Sequence, residues 1–216
     1  MTENSKIALV TGASRGLGAA LAEDLATRGF HVLAVARTVG GLEELDNRIR
    51  RAGGSATLAP MDVAEAPAMQ QLAQAVLGRW GGLDLWAHCA VHAAPLAPAP
   101  HVDGKDWAKS VLVNMDVTRG LIALLEPLLR ARGGTALFFD DPRTGQKFFG
   151  AYGATKAGQI GLARSWQAEA AQIGPRVVIA EPAPMPTAVR ARFFPGEDRG
   201  ALTACKDEAA RILDAL

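Results

Sequence analysis

Tyr152 and Lys156 stand four residues apart in Tyr152-Gly153-Ala154-Thr155-Lys156, a spacing that on a helix puts both side chains on one face, a turn apart. The pairing has a chemical use. A phenol with a pKa of about 10 carries protons poorly at neutral pH, and an adjacent ammonium lowers that value by favouring the phenolate. Tyr152 is the chain's single tyrosine. Taken alone, the pair is as easily a helix tyrosine beside an incidental lysine, but a second feature gives it weight. Thr11-Gly12-Ala13-Ser14-Arg15-Gly16-Leu17-Gly18 is a glycine-rich turn directly behind an apolar run, Ile7 to Val10, and directly ahead of a helix-like stretch. Strand, glycine turn and helix in that order cradle phosphates. Gly12 permits the tight turn, Gly16 the approach of backbone to a pyrophosphate, and Gly18 close packing of helix on strand. The helix then aims its free amides at the anion.

Such residues need a scaffold, and the rest of the chain describes one. Apolar runs of strand length at Ile7 to Val10, His31 to Ala36, Ala56 to Ala59, Leu83 to Ala87, Thr135 to Phe139 and Val177 to Ala180 alternate with amphipathic stretches. Those stretches predict helices at 17–28, 40–52, 65–80, 104–131, 150–173 and 204–215. The alternation implies βα units around a parallel sheet, and continuous apolarity suits strands covered on both faces. Gly29, Gly53 and Gly133 stand where helices should stop. Val91 to Asp103, with Pro95, Pro98 and Pro100 among alanines, reads as a loop.

The 216 residues fit one domain, 1–216, with 49% hydrophobic and 21% charged residues and a net charge of +1. That balance argues against nucleic acid as a partner, and no apolar run is long enough to span a membrane. The start, Met1 to Lys6, is polar and without a leader-like apolar region, which predicts a cytoplasmic protein. Two cysteines, Cys89 and Cys205, make no disulfide framework and fit a reducing compartment.

Together, Thr-Gly-Ala-Ser-Arg-Gly-Leu-Gly at Thr11 to Gly18 and Tyr-Gly-Ala-Thr-Lys at Tyr152 to Lys156 resemble the short-chain dehydrogenase/reductase superfamily over nearly the whole chain. The resemblance implies an α/β, Rossmann-type doubly wound parallel sheet, strand order 3-2-1-4-5-6, in three αβα layers, with the chain ending before a seventh strand. It implies a nicotinamide cofactor over the carboxyl ends of the strands and a small-molecule carbonyl or alcohol substrate. Tyr152 would exchange the proton, Lys156 would bind the nicotinamide ribose and lower the tyrosine's pKa, and Asn114 would complete a proton relay or simply be a polar helix residue. Arg15 and Arg37 lie where a 2′-phosphate would sit, with no acidic residue ending the second strand, so NADP(H) is expected. Asp62-Val63 matches an adenine-edge contact, although Asp62 is equally a carboxylate heading the next helix. Ala90 and Pro182 fall in the loops that border the cofactor, and Thr187 is either a carboxamide contact or a loop cap. No metal is expected: His88, Cys89 and His92 are adjacent on a strand end and point apart.

Three positions depart from the family. Its serine, about a dozen residues before the tyrosine, falls at Phe139 or Asp140 here, and an ionised carboxylate has no proton to donate. Its Asn-Asn-Ala-Gly becomes His88-Cys89-Ala90-Val91, where valine should narrow the passage, and its Pro-Gly becomes Pro182-Ala183. The expectation is a slow or atypical enzyme, or a cofactor-binding protein without turnover. Small residues crowd the Tyr152 helix, which implies either close packing within the chain or a two-fold homodimer through the 104–131 and 150–173 helices, with Trp166 as a buried anchor.

Overall fold

The computed structural model describes residues 6–216; of the polar start only Lys6 is among them. Six strands, β1 (Lys6–Thr11), β2 (Phe30–Ala36), β3 (Ser55–Pro60), β4 (Leu85–His88), β5 (Thr135–Phe139) and β6 (Arg176–Ala180), form one sheet in the order β3-β2-β1-β4-β5-β6. All pairs are parallel, with Val10 of β1 opposite Ala34 of β2 and Ala87 of β4. Alternation along each strand divides the core. Ile7, Leu9, Leu33, Val35, Trp86 and Phe138 face a layer made by α3 (Ala66–Trp80), α5 (Val117–Arg132) and α6 (Gly150–Ala170). Ala8, Val10, Val32, Ala34, Ala87 and Leu137 face α1 (Gly16–Thr27), α2 (Val39–Arg51) and α8 (Cys205–Asp214). A sheet buried on both faces has no use for polar alternation, which is why its strands read as continuous apolar runs. Gly29, Gly53 and Gly133 do stand at helix ends, each with positive φ.

Three boundaries differ from expectation. The strand expected from Leu83 starts at Leu85, because Leu83 N donates to Leu128 O of α5 and Asp84 Oδ2 accepts from Ile7 N at 2.6 Å. The helix expected over 104–131 is α4 (Gly104–Val111), a π segment Leu112–Asp116, and α5. The stretch after β6, for which the sequence predicts no helix, folds a short one, α7 (Ala188–Phe193), capped by Thr187 Oγ1 accepting from Arg190 N at 3.1 Å. Trp166 is buried, as expected, but in the chain's own core: it is 5% accessible, packed between Trp86 and Phe138 with centroids at 6.4 and 6.2 Å.

Candidate active site

The carboxyl ends of β1 to β6 open into a cleft of about 700 Å³. Gly12, Ser14, Arg15, Gly16, Leu17, Gly18, Arg37, Asp62, Val63, Ala90, Tyr152, Lys156, Pro182 and Thr187 all line it. Gly12 and Ala13 amides donate to Val35 O at 2.8 and 3.1 Å, which folds the turn over the end of β2. A Cβ on Gly12 would lie 2.7 Å from Ala90 N, and one on Gly18 2.3 Å from Gly12 O, so turn, β4 exit and α1 meet at distances only glycine allows. The first α1 ladder bond runs from Ala19 N to Arg15 O, and no described residue accepts from the amides of Gly16, Leu17 and Gly18. Donors of that kind at a helix start suit phosphate oxygens. Exposed Arg15 is on the same turn. Arg37 lies 3.5 Å from Asp62, whose other oxygen accepts from Ala64 N, so Asp62 serves a local turn as well as the cleft wall. Thr187, besides capping α7, lies 3.3 Å from where a Gly16 Cβ would stand.

Two expected residues sit behind the cleft. Thr11 is fully buried, its hydroxyl 2.8 Å from His88 Nδ1, so it supports the site from inside rather than lining it. Asn114, held in the π segment, accepts from His92 N at 2.7 Å and donates to His92 O and Thr155 Oγ1, both at 3.0 Å. Its side chain is thereby committed to the loop after β4, and the partner of Lys156 is another residue. Lys156 Nζ donates to Gln159 Oε1 at 2.6 Å, Gln159 Nε2 to Thr118 Oγ1 at 2.9 Å, and Thr118 to the Asn114 carbonyl at 2.9 Å. Thr118 has spent its proton, so His88 Nε2, 2.9 Å away, is the donor and His88 Nδ1 accepts from Thr11. This buried network joins the glycine turn to Lys156 through residues the sequence left unassigned. Burial, and then the Lys156 charge, push His88 down to about 3, while burial lowers Lys156 to about 8. Among the described residues no cluster of three metal-ligating side chains occurs.

At Tyr152 the expected electrostatics reverse. The hydroxyl donates to Asp141 Oδ2 at 3.0 Å, and Asp141 Oδ1 pairs with Arg143 Nε at 2.8 Å. Burial first, then the Asp141 charge, raise the tyrosine's pKa far above its ordinary value, so the phenol stays neutral. The residue facing Tyr152 is thus neither Phe139 nor Asp140. Phe139 packs into the α1 side of the core, and Asp140 N extends the β5 ladder to Ala180 O while its carboxylate meets Arg164 at 3.2 Å. The ladder runs one residue past the apolar run, so the turn toward the tyrosine comes one residue later. Val91 packs with Ala93, Phe149, Tyr152 and Phe193, and Phe193 of α7 covers the phenol with ring centroids 4.8 Å apart.

A family model described as short chain dehydrogenase matches residues 6–198. The chain is 31% identical over 177 residues to D-threitol dehydrogenase of Mycolicibacterium smegmatis, covering 81% of this chain and 68% of that one. It is 30% identical over 168 residues to fatty acyl-CoA reductase of Acinetobacter baylyi, covering 76% of this chain and 57% of the relative. Among solved structures, a short chain dehydrogenase of Salmonella enterica superposes with a TM-score of 0.91 at 27% identity, covering 97% of this chain and 88% of that one. One from Escherichia coli, complexed with NADPH, does so at 0.87 and 28%, covering 99% and 92%.

Proposed function

This chain belongs to the short-chain dehydrogenase family, and on that premise we propose that it is an NADP(H)-dependent oxidoreductase acting slowly on a carbonyl or hydroxyl of a small molecule. The observation that carries the reading is one cleft lined by the glycine turn at one end and by Tyr152 and Lys156 at the other. The phosphate form of the cofactor is favoured by Arg15 and Arg37, two guanidinium forks on that cleft, and by a neighbour complexed with NADPH. When bound, the dihydronicotinamide supplies the hydride. Tyr152 holds the proton at its phenol oxygen, and Lys156, fixed by Gln159, supplies positive charge on the same cleft. Asp141 cannot donate to a carbonyl oxygen as a hydroxyl would, and loss of such a donor slows turnover by about 100-fold or more.

Titration of protein fluorescence with NADPH and NADH is expected to give tighter binding of NADPH, and Tyr152→Phe to lose carbonyl turnover while keeping that binding. Turnover that survives Tyr152→Phe would sink the mechanism. A second reading, cofactor binding without turnover, is favoured by the 4% accessibility of Tyr152 under Phe193; binding with no product from a broad carbonyl panel is its signature. The protein is further proposed to act as a homodimer through the 104–131 and 150–173 region. Trp107, Leu112 and Met115 remain 45%, 45% and 36% accessible there, and sedimentation of Trp107→Lys is expected to report a monomer where the native chain is dimeric.

A further inference from the structure

Resting on the oxidoreductase reading above, we propose that the double bond this site is built to reduce is a protonated imine, and that carbonyls are its poor substrates. The ground is the polarity of the hydrogen bond at Tyr152. Its proton points at Asp141 Oδ2, 3.0 Å away, and the Arg143 guanidinium lies 2.8 Å from Oδ1. What remains on the phenol oxygen and on the carboxylate is lone pairs, that is, two acceptors. A ketone oxygen is itself only an acceptor and finds no donor in that arrangement. An iminium N–H is a donor that carries positive charge, and it suits both oxygens.

Proton accounting points the same way. Hydride added to a ketone carbon leaves an alkoxide that must take a proton, and the phenol here is a reluctant source: buried, and hydrogen-bonded to a carboxylate. Hydride added to the carbon of C=N–H⁺ forms the new C–H bond while the π pair returns to nitrogen as its lone pair. The iminium is reduced to a neutral amine, the dihydronicotinamide is oxidised to the nicotinamide cation, and no proton leaves the protein.

The surroundings tolerate a cation. Arg143 is neutralised by Asp141, and Arg190 by Glu197 at 2.6 Å; Arg192 is turned onto Ala93 O at 2.6 Å, and Lys156 onto Gln159. Around Tyr152 stand Phe193 at 4.8 Å and Phe149 at 6.5 Å, and aromatic faces in this corner already hold cations, with Arg190 lying 4.1 Å over Phe194.

The test uses a matched pair on one bicyclic frame, dihydroisoquinoline and tetralone, offered with NADPH to the full chain. The native protein should favour the imine by about 100-fold in kcat/KM, and Asp141→Ser, which restores a donor, should reverse the order. Apart from turnover, calorimetry on the protein without cofactor should detect protonated tetrahydroisoquinoline but not tetralol, with Asp141→Asn weakening the amine by about tenfold or more. If Asp141→Ser does not fold, the isosteric Asp141→Asn decides between the two outcomes through its amine affinity. A native preference for tetralone, or amine binding indifferent to Asp141→Asn, overturns the inference and leaves the oxidoreductase reading intact. Failure to bind NADPH overturns that reading instead, and the amine titration still judges the polarity of the site.

Discussion

Lys156 is the side chain whose surroundings most constrain the chemistry. Its ammonium is buried, 6% accessible, with Gln159 Oε1 at 2.6 Å as its acceptor, and Gln159 is in turn fixed by Thr118. Removing the acceptor leaves a buried charge unsatisfied, a loss of about 1–3 kcal/mol. Gln159→Leu should therefore lower stability in urea by that order near neutral pH. It should cost much less in alkaline solution well above pH 8, where the native amine, held at about 8, has given up its proton. A deficit that is equal at both pH values would mean that Gln159 only fills space. Tyr152 and Lys156 were legible because a four-residue spacing is a statement about a helix face. Gln159 was not, since an amide three residues after a lysine belongs to no pattern until the helix is placed against Thr118. Asp141 stands one residue beyond the positions that counting back from Tyr152 selects, because an apolar run does not reveal that the β5 ladder continues through Asp140 N.

The segment carrying Asp141 is positioned by the start of α6. A Cβ at Gly153 would lie 2.7 Å from the Arg143 carbonyl, so the loop after β5 rests on the helix at a distance that no larger residue permits. Gly161, two turns further along the same helix, meets nothing within 4 Å. The two glycines separate packing from propensity. Gly153→Ala should destabilise by about 1–3 kcal/mol through overpacking and shift the Asp141 to Arg143 loop. Gly161→Ala should stabilise by about 0.5–1 kcal/mol, the ordinary helix gain. Thermal unfolding measures both, and a stabilised Gly153→Ala would refute the contact. Small residues in this helix were visible in the sequence, but only the neighbouring loop says which of them is obligatory. Element order was readable because apolar runs of strand length alternate with helical stretches, whereas the strand order followed from the family resemblance. The π segment around Asn114 and the α7 turn were not, since the first keeps a helical pattern while shifting phase and the second hides among prolines.

Across the whole molecule, the buried titratable groups make stability a function of pH with a definite shape. His88 falls from 6.5 to about 3 on folding, so the unfolded chain binds more protons between those values. Stability from His88 is present above 6.5 and lost as pH falls through that window, by on the order of 5 kcal/mol in full. Half-buried His31 and His92 are also lowered, both chiefly by burial, and add to the same limb. Lys156 moves from 10.5 to about 8, so its share rises with pH between those values. Against it, burial raises the Cys89 thiol from 9.0 to about 12 and keeps the Tyr152 phenol protonated above its ordinary 10.0, so both favour unfolding as the medium becomes alkaline. The sum is a steep gain from pH 3 to 6.5, a plateau to about 8, a maximum between about 9 and 10, and a decline beyond about 10. Urea midpoints across that range should follow this curve for the native chain. In His88→Asn, a neutral residue of compatible polarity, the acid limb should be markedly shallower. An unchanged acid slope in that variant would mean that other groups govern the limb, and that the buried link between glycine turn and Lys156 is not what acid breaks.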